Sequence, residues 1–184
     1  MANDQQRLLD IYLQEYNQLK HEQTQRIGFR DNLLYVTLGL YGVILGFAVG
    51  EKAEPNTLLI LPWVSLVLGW TYLVNDQKIT AIGRYIRYTL VEKVRGITGS
   101  QDIEPIFGWE IAHRSDERRK RRKIEQLVID EIAFVFSGVV ALIAFVYRVY
   151  PSDWAFYLLG LIELVLLTIL GIELYLYADL AKGR

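Results

Sequence analysis

Four stretches of this chain are long and apolar enough to cross a bilayer, and they leave little choice of fold. Residues 32–50 (NLLYVTLGLYGVILGFAVG) and 55–75 (PNTLLILPWVSLVLGWTYLVN) carry no charged side chain. Residues 132–147 (IAFVFSGVVALIAFVY) are charge-free up to Arg148, which can snorkel to an outer interface. Residues 154–178 (WAFYLLGLIELVLLTILGIELYLYA) are broken only by Glu163 and Glu173. About 20 apolar residues in a helix cross roughly 30 Å of hydrocarbon. In hydrocarbon the backbone must satisfy its own hydrogen bonds, so each run must be helical. One such run is compatible with a buried helix of a soluble protein, but four in 184 residues are not. The predicted fold class is all-α: a polytopic membrane protein with four transmembrane helices in two hairpins, 32–75 and 132–178, and cytoplasmic helical extensions.

Cations orient this plan. Of 20 Lys and Arg residues, 18 fall on one side of the four runs. They are Arg7, Lys20, Arg26 and Arg30 before the first run, 12 between Lys78 and Lys123, and Lys182 and Arg184 at the end. The two hairpin loops hold only Lys52 and Arg148. By the positive-inside rule both termini and the central segment are expected in the cytoplasm. The first run is internal and has no cleavage-site pattern, so it reads as a span rather than a signal peptide. There is no Cys, and residue 2 is Ala, so no lipidation signal is present.

The domain plan is a cytoplasmic amphipathic helix at 1–30, hairpin one at 32–75, a cytoplasmic helical segment at 76–131, hairpin two at 132–178 and a cytoplasmic tail at 179–184. In the first segment Asn3 or Asp4 can cap a helix whose apolar stripe is Leu9, Tyr12, Leu13, Tyr16 and Leu19. That stripe suits packing against other cytoplasmic helices. Gly28 allows a bend before the first span. The second span is expected to run on as one helix from Leu58 to about Val94, because Ile79, Ile82, Ile86, Leu90 and Val94 keep helical spacing without Pro. A loop (GITGSQDIEP) follows, and a new helix starts near Ser115, with Asp116 and Glu117 favouring its N-terminus.

Three constellations are candidates for function. Gly39, Gly42, Gly46 and Gly50 repeat along one face of the first span as a tandem GxxxG. Small residues let membrane helices approach closely, so this face packs either within the chain's own bundle or between subunits of a homo-oligomer. Ser65–Gly69 and Ser137–Ala141 repeat the spacing more weakly.

Glu163 lies near mid-membrane, where a charge costs at least about 2.5 kcal/mol. Tyr41 and Ser65 fall at a similar depth and are expected as its hydrogen-bond partners. A neutral Glu tying helices together is one reading. A proton or cation site, or the lining of a channel or membrane-permeabilising pore, is the other.

Arg118, Arg119, Lys120, Arg121, Arg122 and Lys123 form an unbroken basic run before the third span. Such a run attracts anionic lipid of the cytoplasmic leaflet, at about 1 kcal/mol per cation. With Arg84, Arg87, Tyr85, Tyr88 and Trp109 it also suits an anionic ligand or a soluble cytoplasmic protein partner. Nucleic acid fits poorly, because the whole chain has a net charge of -1.

Enzyme patterns are missing. His21 and His113 stand alone, without metal-ligand spacing. No nucleophile elbow, Walker or dinucleotide fingerprint occurs, so no cofactor or metal is expected. Trp63, Trp70, Tyr72, Tyr147, Tyr150 and Trp154 read as interfacial aromatic belts.

KITAIGRYIRYTLVEKV at residues 78–94, followed by GWE at residues 108–110, resembles uncharacterised small bacterial four-span inner-membrane proteins. The resemblance rests on these 20 of the 184 residues. It implies a bacterial inner-membrane location and no particular activity. Four-span bacterial proteins of this size include membrane components of phage-defence systems that work with a soluble partner. That analogy of architecture adds a defence or signalling role to the expectations.

Overall fold

A computed structural model describes residues 2–49, 55–99, 107–108, 118–148 and 153–178. All regular structure among them is helical. Helix α1 spans Ala2–Val49. A 3₁₀ turn, Pro55–Leu59, leads into α2, Ile60–Tyr85. A π turn at Ile86–Leu90 joins α2 to α3, Val91–Thr98. Helix α4, Arg119–Asp130, passes through a second π turn, Glu131–Phe136, into α5, Ser137–Arg148. Helix α6 spans Trp154–Tyr177. Four of these continuous helical segments are long and apolar enough to cross a membrane: Asn3–Ala48, Asn56–Thr98, Arg119–Arg148 and Trp154–Tyr177.

The helix ends follow local chemistry. Asp153 caps α6, its carboxylate accepting the Ala155 N–H at 3.2 Å. Gly99 ends α3 in the left-handed conformation at φ 64°, which glycine adopts without a Cβ clash, and its N–H reaches the Arg95 carbonyl. The expected loop therefore starts a few residues late, because Gly96, Ile97 and Thr98 stay helical. Gly28, where the sequence permits a bend, lies inside α1. Ser115 and residues 179–184 lie outside the described residues.

The chain divides into two compact units. The first comprises Met1–Phe29 and Asn75–Arg119. In it the start of α1 packs on the polar continuation of α2 and on α3. Ile86, Leu90 and Val94 are fully buried, and Tyr16 stacks on Phe107 at 4.2 Å. Four of the five stripe residues (Leu9, Tyr12, Tyr16, Leu19) are half-buried, and Leu13 is exposed. Polar pins hold the register. Asn75 donates to the Arg26 carbonyl at 2.6 Å, Gln23 to the Ile79 carbonyl at 3.3 Å, and Tyr85 to Glu15 at 2.6 Å.

The second unit, Arg30–Val74 and Lys120–Arg184, contains the apolar helices. Its core includes Leu33, Leu61, Phe134, Phe145, Leu167 and Leu170. Two glycines set the closest approaches. A Cβ on Gly69 of α2 would stand 2.8 Å from Leu170 and 2.9 Å from the Phe134 Cβ. A Cβ on Gly138 of α5 would stand 2.8 Å from Leu167. Of the weaker small-residue pairs, Ser65 and Gly69 are both buried, and Ala141 is buried beside the half-buried Ser137, so both pairs face the interior, as small residues do in membrane bundles. Tyr72 departs from the expected aromatic belt. It is buried on Phe134, and its hydroxyl accepts from Gln126 at 3.0 Å. Trp63, Trp70, Tyr147 and Trp154 are exposed.

Candidate functional site

Within the second unit, three of the apolar helices contribute hydroxyls that bond one another, and the fourth carries a buried carboxyl. Tyr41 comes from α1, Ser65 from α2, Ser137 from α5 and Glu163 from α6. The Tyr41 hydroxyl hydrogen-bonds Ser65 Oγ and lies 3.5 Å from the Leu61 carbonyl. Ser137 Oγ is 3.0 Å from the same hydroxyl and 2.6 Å from the Ala133 carbonyl. Thr37, one turn from Tyr41, is buried and donates to the Leu33 carbonyl at 2.7 Å.

Glu163 does not join this cluster. Its side chain is 0% exposed, and neither carboxyl oxygen has a hydrogen-bond partner among the described residues. The expected bonds from Tyr41 and Ser65 to Glu163 are therefore not formed, because both hydroxyls are used on each other and on neighbouring groups. Leu167, one turn along α6 from Glu163, packs at Gly138, and Ser65 Oγ lies 3.3 Å from the Cβ position of that glycine. In the sequence Ser137 stands out only as half of a small-residue pair. Its hydroxyl in an otherwise apolar run was the signal for this role.

The glycine face has a different environment. Gly39, Gly42 and Gly46 have no atom within 4 Å of an added Cβ. The buried residues of this part of α1 are Leu33, Thr37, Tyr41 and Ala48. At about 100° per residue these lie on one side of the helix and the three glycines on the other. The tandem motif is therefore not spent on packing inside the chain. Gly50 lies outside the described residues.

The cations are distributed over both units. In the first, Arg84 is exposed, and Arg87 is half-buried over the Tyr88 ring at 5.6 Å. Arg118 and Arg119 also belong there, exposed and half-buried respectively. In the second, Lys120, Arg121 and Arg122 are exposed, while Lys123 is half-buried and bonds Gln126 at 3.4 Å. Arg121 pairs with Glu125 at 2.8 Å across one turn. Trp109 lies outside the described residues. Lys93 sits over the rings of Tyr12 and Tyr85 and donates to the Tyr85 hydroxyl at 3.0 Å, which raises its pKa above the usual lysine value.

Arg148 takes a position that the sequence suggested only loosely. Its guanidinium donates to the Ala48 carbonyl at 2.6 Å, capping the C-terminal end of α1. No cluster of three or more acidic, His or Cys side chains suited to a metal occurs among the described residues. Comparisons with protein-family models, with curated protein sequences and with solved structures find no match.

Proposed function

We propose that this chain is a non-enzymatic, self-associating protein of the bacterial inner membrane, with both termini in the cytoplasm. Copies meet through the Gly39, Gly42 and Gly46 face of α1. The basic residues of the cytoplasmic helices, Arg84, Arg87 and Arg118 to Lys123, face anionic lipid and an anionic cytoplasmic partner. In this reading the chain is the membrane component of a two-part system, of the kind that serves defence or signalling.

One observation carries the proposal. The most regular small-residue motif of the chain is on the outside of its own bundle, opposite the core-facing side of α1. Lipid tails are as apolar as leucine and provide no drive to bury such a face within the chain. Close backbone contact with another helix does reward it.

Self-association is tested by the mass of the detergent-purified protein, measured by light scattering with the detergent contribution subtracted. The wild type is expected to be oligomeric, and Gly46→Ile is expected to lower its order while preserving helical circular dichroism. A strictly monomeric wild type, or an unchanged oligomer in Gly46→Ile, rejects the proposal.

A further inference from the structure

Glu163 has neither of the arrangements that stabilise a carboxylate in an apolar interior. It is fully buried, and both oxygens lack a hydrogen-bond donor among the described residues. It also lacks a counter-charge on the surrounding helices. Residues 32–49 of α1 carry none, and neither do residues 56–75 of the second apolar helix or 132–147 of the third. The charged groups stand at the ends: Arg30 and Asp31 on α1, Asp76 and Lys78 on α2, Asp130, Glu131 and Arg148 on the third helix, and Asp153 and Glu173 at α6 itself. The titratable side chains within the runs are Tyr35, Tyr41, Tyr72, Tyr147, Tyr157, Tyr175 and Tyr177, besides Glu163 and Glu173. A bare carboxylate in this setting has nothing to replace its water, whereas a neutral carboxyl is tolerated.

The same geometry argues against a purely structural acid. A neutral Glu kept to tie helices together would hold a hydrogen bond across them, and Glu163 holds none. A hydrogen-bonded run of hydroxyls, Ser137, Tyr41 and Ser65, lies in the same interior, where Ser65 and Leu167, one turn from Glu163 along α6, both stand against Gly138. Hydroxyls both donate and accept, so such a run can pass a proton along. A hard cation would need a shell of oxygens instead. Here the hydroxyls already bond each other and the Leu61 and Ala133 carbonyls.

We propose that Glu163 is a reversible proton-binding site inside the membrane. The ligand of this site is H⁺, and its charge state changes without a fixed counter-ion. The inference is independent of self-association, since α1 presents its glycines away from this interior.

The test uses dicyclohexylcarbodiimide on the intact chain in phospholipid vesicles. The reagent enters apolar regions and reacts with a protonated carboxyl. The carboxyl oxygen bonds the carbodiimide carbon, and the proton moves to a reagent nitrogen. Transfer of the acyl group to nitrogen then gives a stable adduct with no leaving group. Mass spectrometry of peptides locates the added reagent. The adduct is expected on Glu163, and its rate is expected to fall about tenfold for each pH unit above a midpoint, as one proton is lost. Replacing choline chloride by sodium chloride at constant pH is expected to leave the rate unchanged. E163Q serves to assign the adduct, and the wild-type pH series stands even if that variant misfolds. A folded wild type with no adduct on Glu163 overturns the proposal. So does a rate independent of pH, which marks a permanently neutral structural acid. Protection by sodium also overturns it, in favour of a metal-cation site.

Discussion

Gly69 and Gly42 are the same residue type in adjacent apolar helices, with opposite demands on their surroundings. A methyl group at Gly69 would meet the Phe134 Cβ, an atom fixed to the backbone, at 2.9 Å. At Gly42 it would meet nothing within 4 Å. Gly69→Ala is therefore expected to cost about 1–3 kcal/mol, the range for overpacking a filled interior. Gly42→Ala should leave the isolated monomer unchanged. Denaturant titration of both variants, at protein dilutions and detergent levels where light scattering shows monomers, measures the contrast, and equal costs would contradict the packing described. Lys93 gives a residue-scale prediction outside the apolar helices. Its donation to Tyr85 raises its pKa above the usual 10.5. A group with a raised folded pKa stabilises the fold at pH below its unfolded pKa. That contribution disappears as pH rises through the folded value. Thermal unfolding should therefore be flat in this respect near neutrality and fall in the alkaline range above 10.5. Lys93→Met should lack that alkaline component, and an identical alkaline profile in the variant would refute the pairing.

At the scale of elements, the four apolar helices are legible because composition decides them: an apolar run of that length, with at most two charges, forms a helix in hydrocarbon. The continuation of α2 was legible too, since Ile86, Leu90 and Val94 keep their period and are fully buried. What each helix faces was not legible. Periodicity places Gly39, Gly42 and Gly46 on one face but does not say whether Leu33 and Tyr41 or the glycines turn inward. Tyr41 and Ser65 share a depth along their spans, but their hydroxyls bond each other rather than Glu163, a choice that depth does not decide. The two π turns had no sequence signal, because neither Pro nor Gly marks them. Arg148 belongs to this scale as well, since it links the ends of two helices. Arg148→Ala is expected to lower stability by about 0.3–1 kcal/mol, the value of a solvent-accessible cation at a helix C-terminus. The decrease should be smaller in high salt. Thermal unfolding at two ionic strengths checks it, and a salt-independent loss would point to packing rather than charge.

For the whole molecule, the absence of Cys makes orientation directly measurable. Single replacements Lys52→Cys and Lys182→Cys put one thiol in the first hairpin loop and one in the C-terminal tail. In intact cells a membrane-impermeant maleimide is expected to label the first and not the second. Permeabilised cells should label both. The reverse pattern would invert the proposed topology and move the basic surface outside. A π turn holds one more residue than an α turn over the same stretch. Glu131–Phe136 is such a turn, placed where the basic helix α4 becomes the apolar helix α5. Its extra residue acts as a phase shifter. Deleting one residue there would restore α-helical bonding and rotate the side chains of α4 by about 100° relative to those of α5. Chain length at that point, rather than any side chain, then sets which cations share an azimuth with the core-facing side of the third apolar helix.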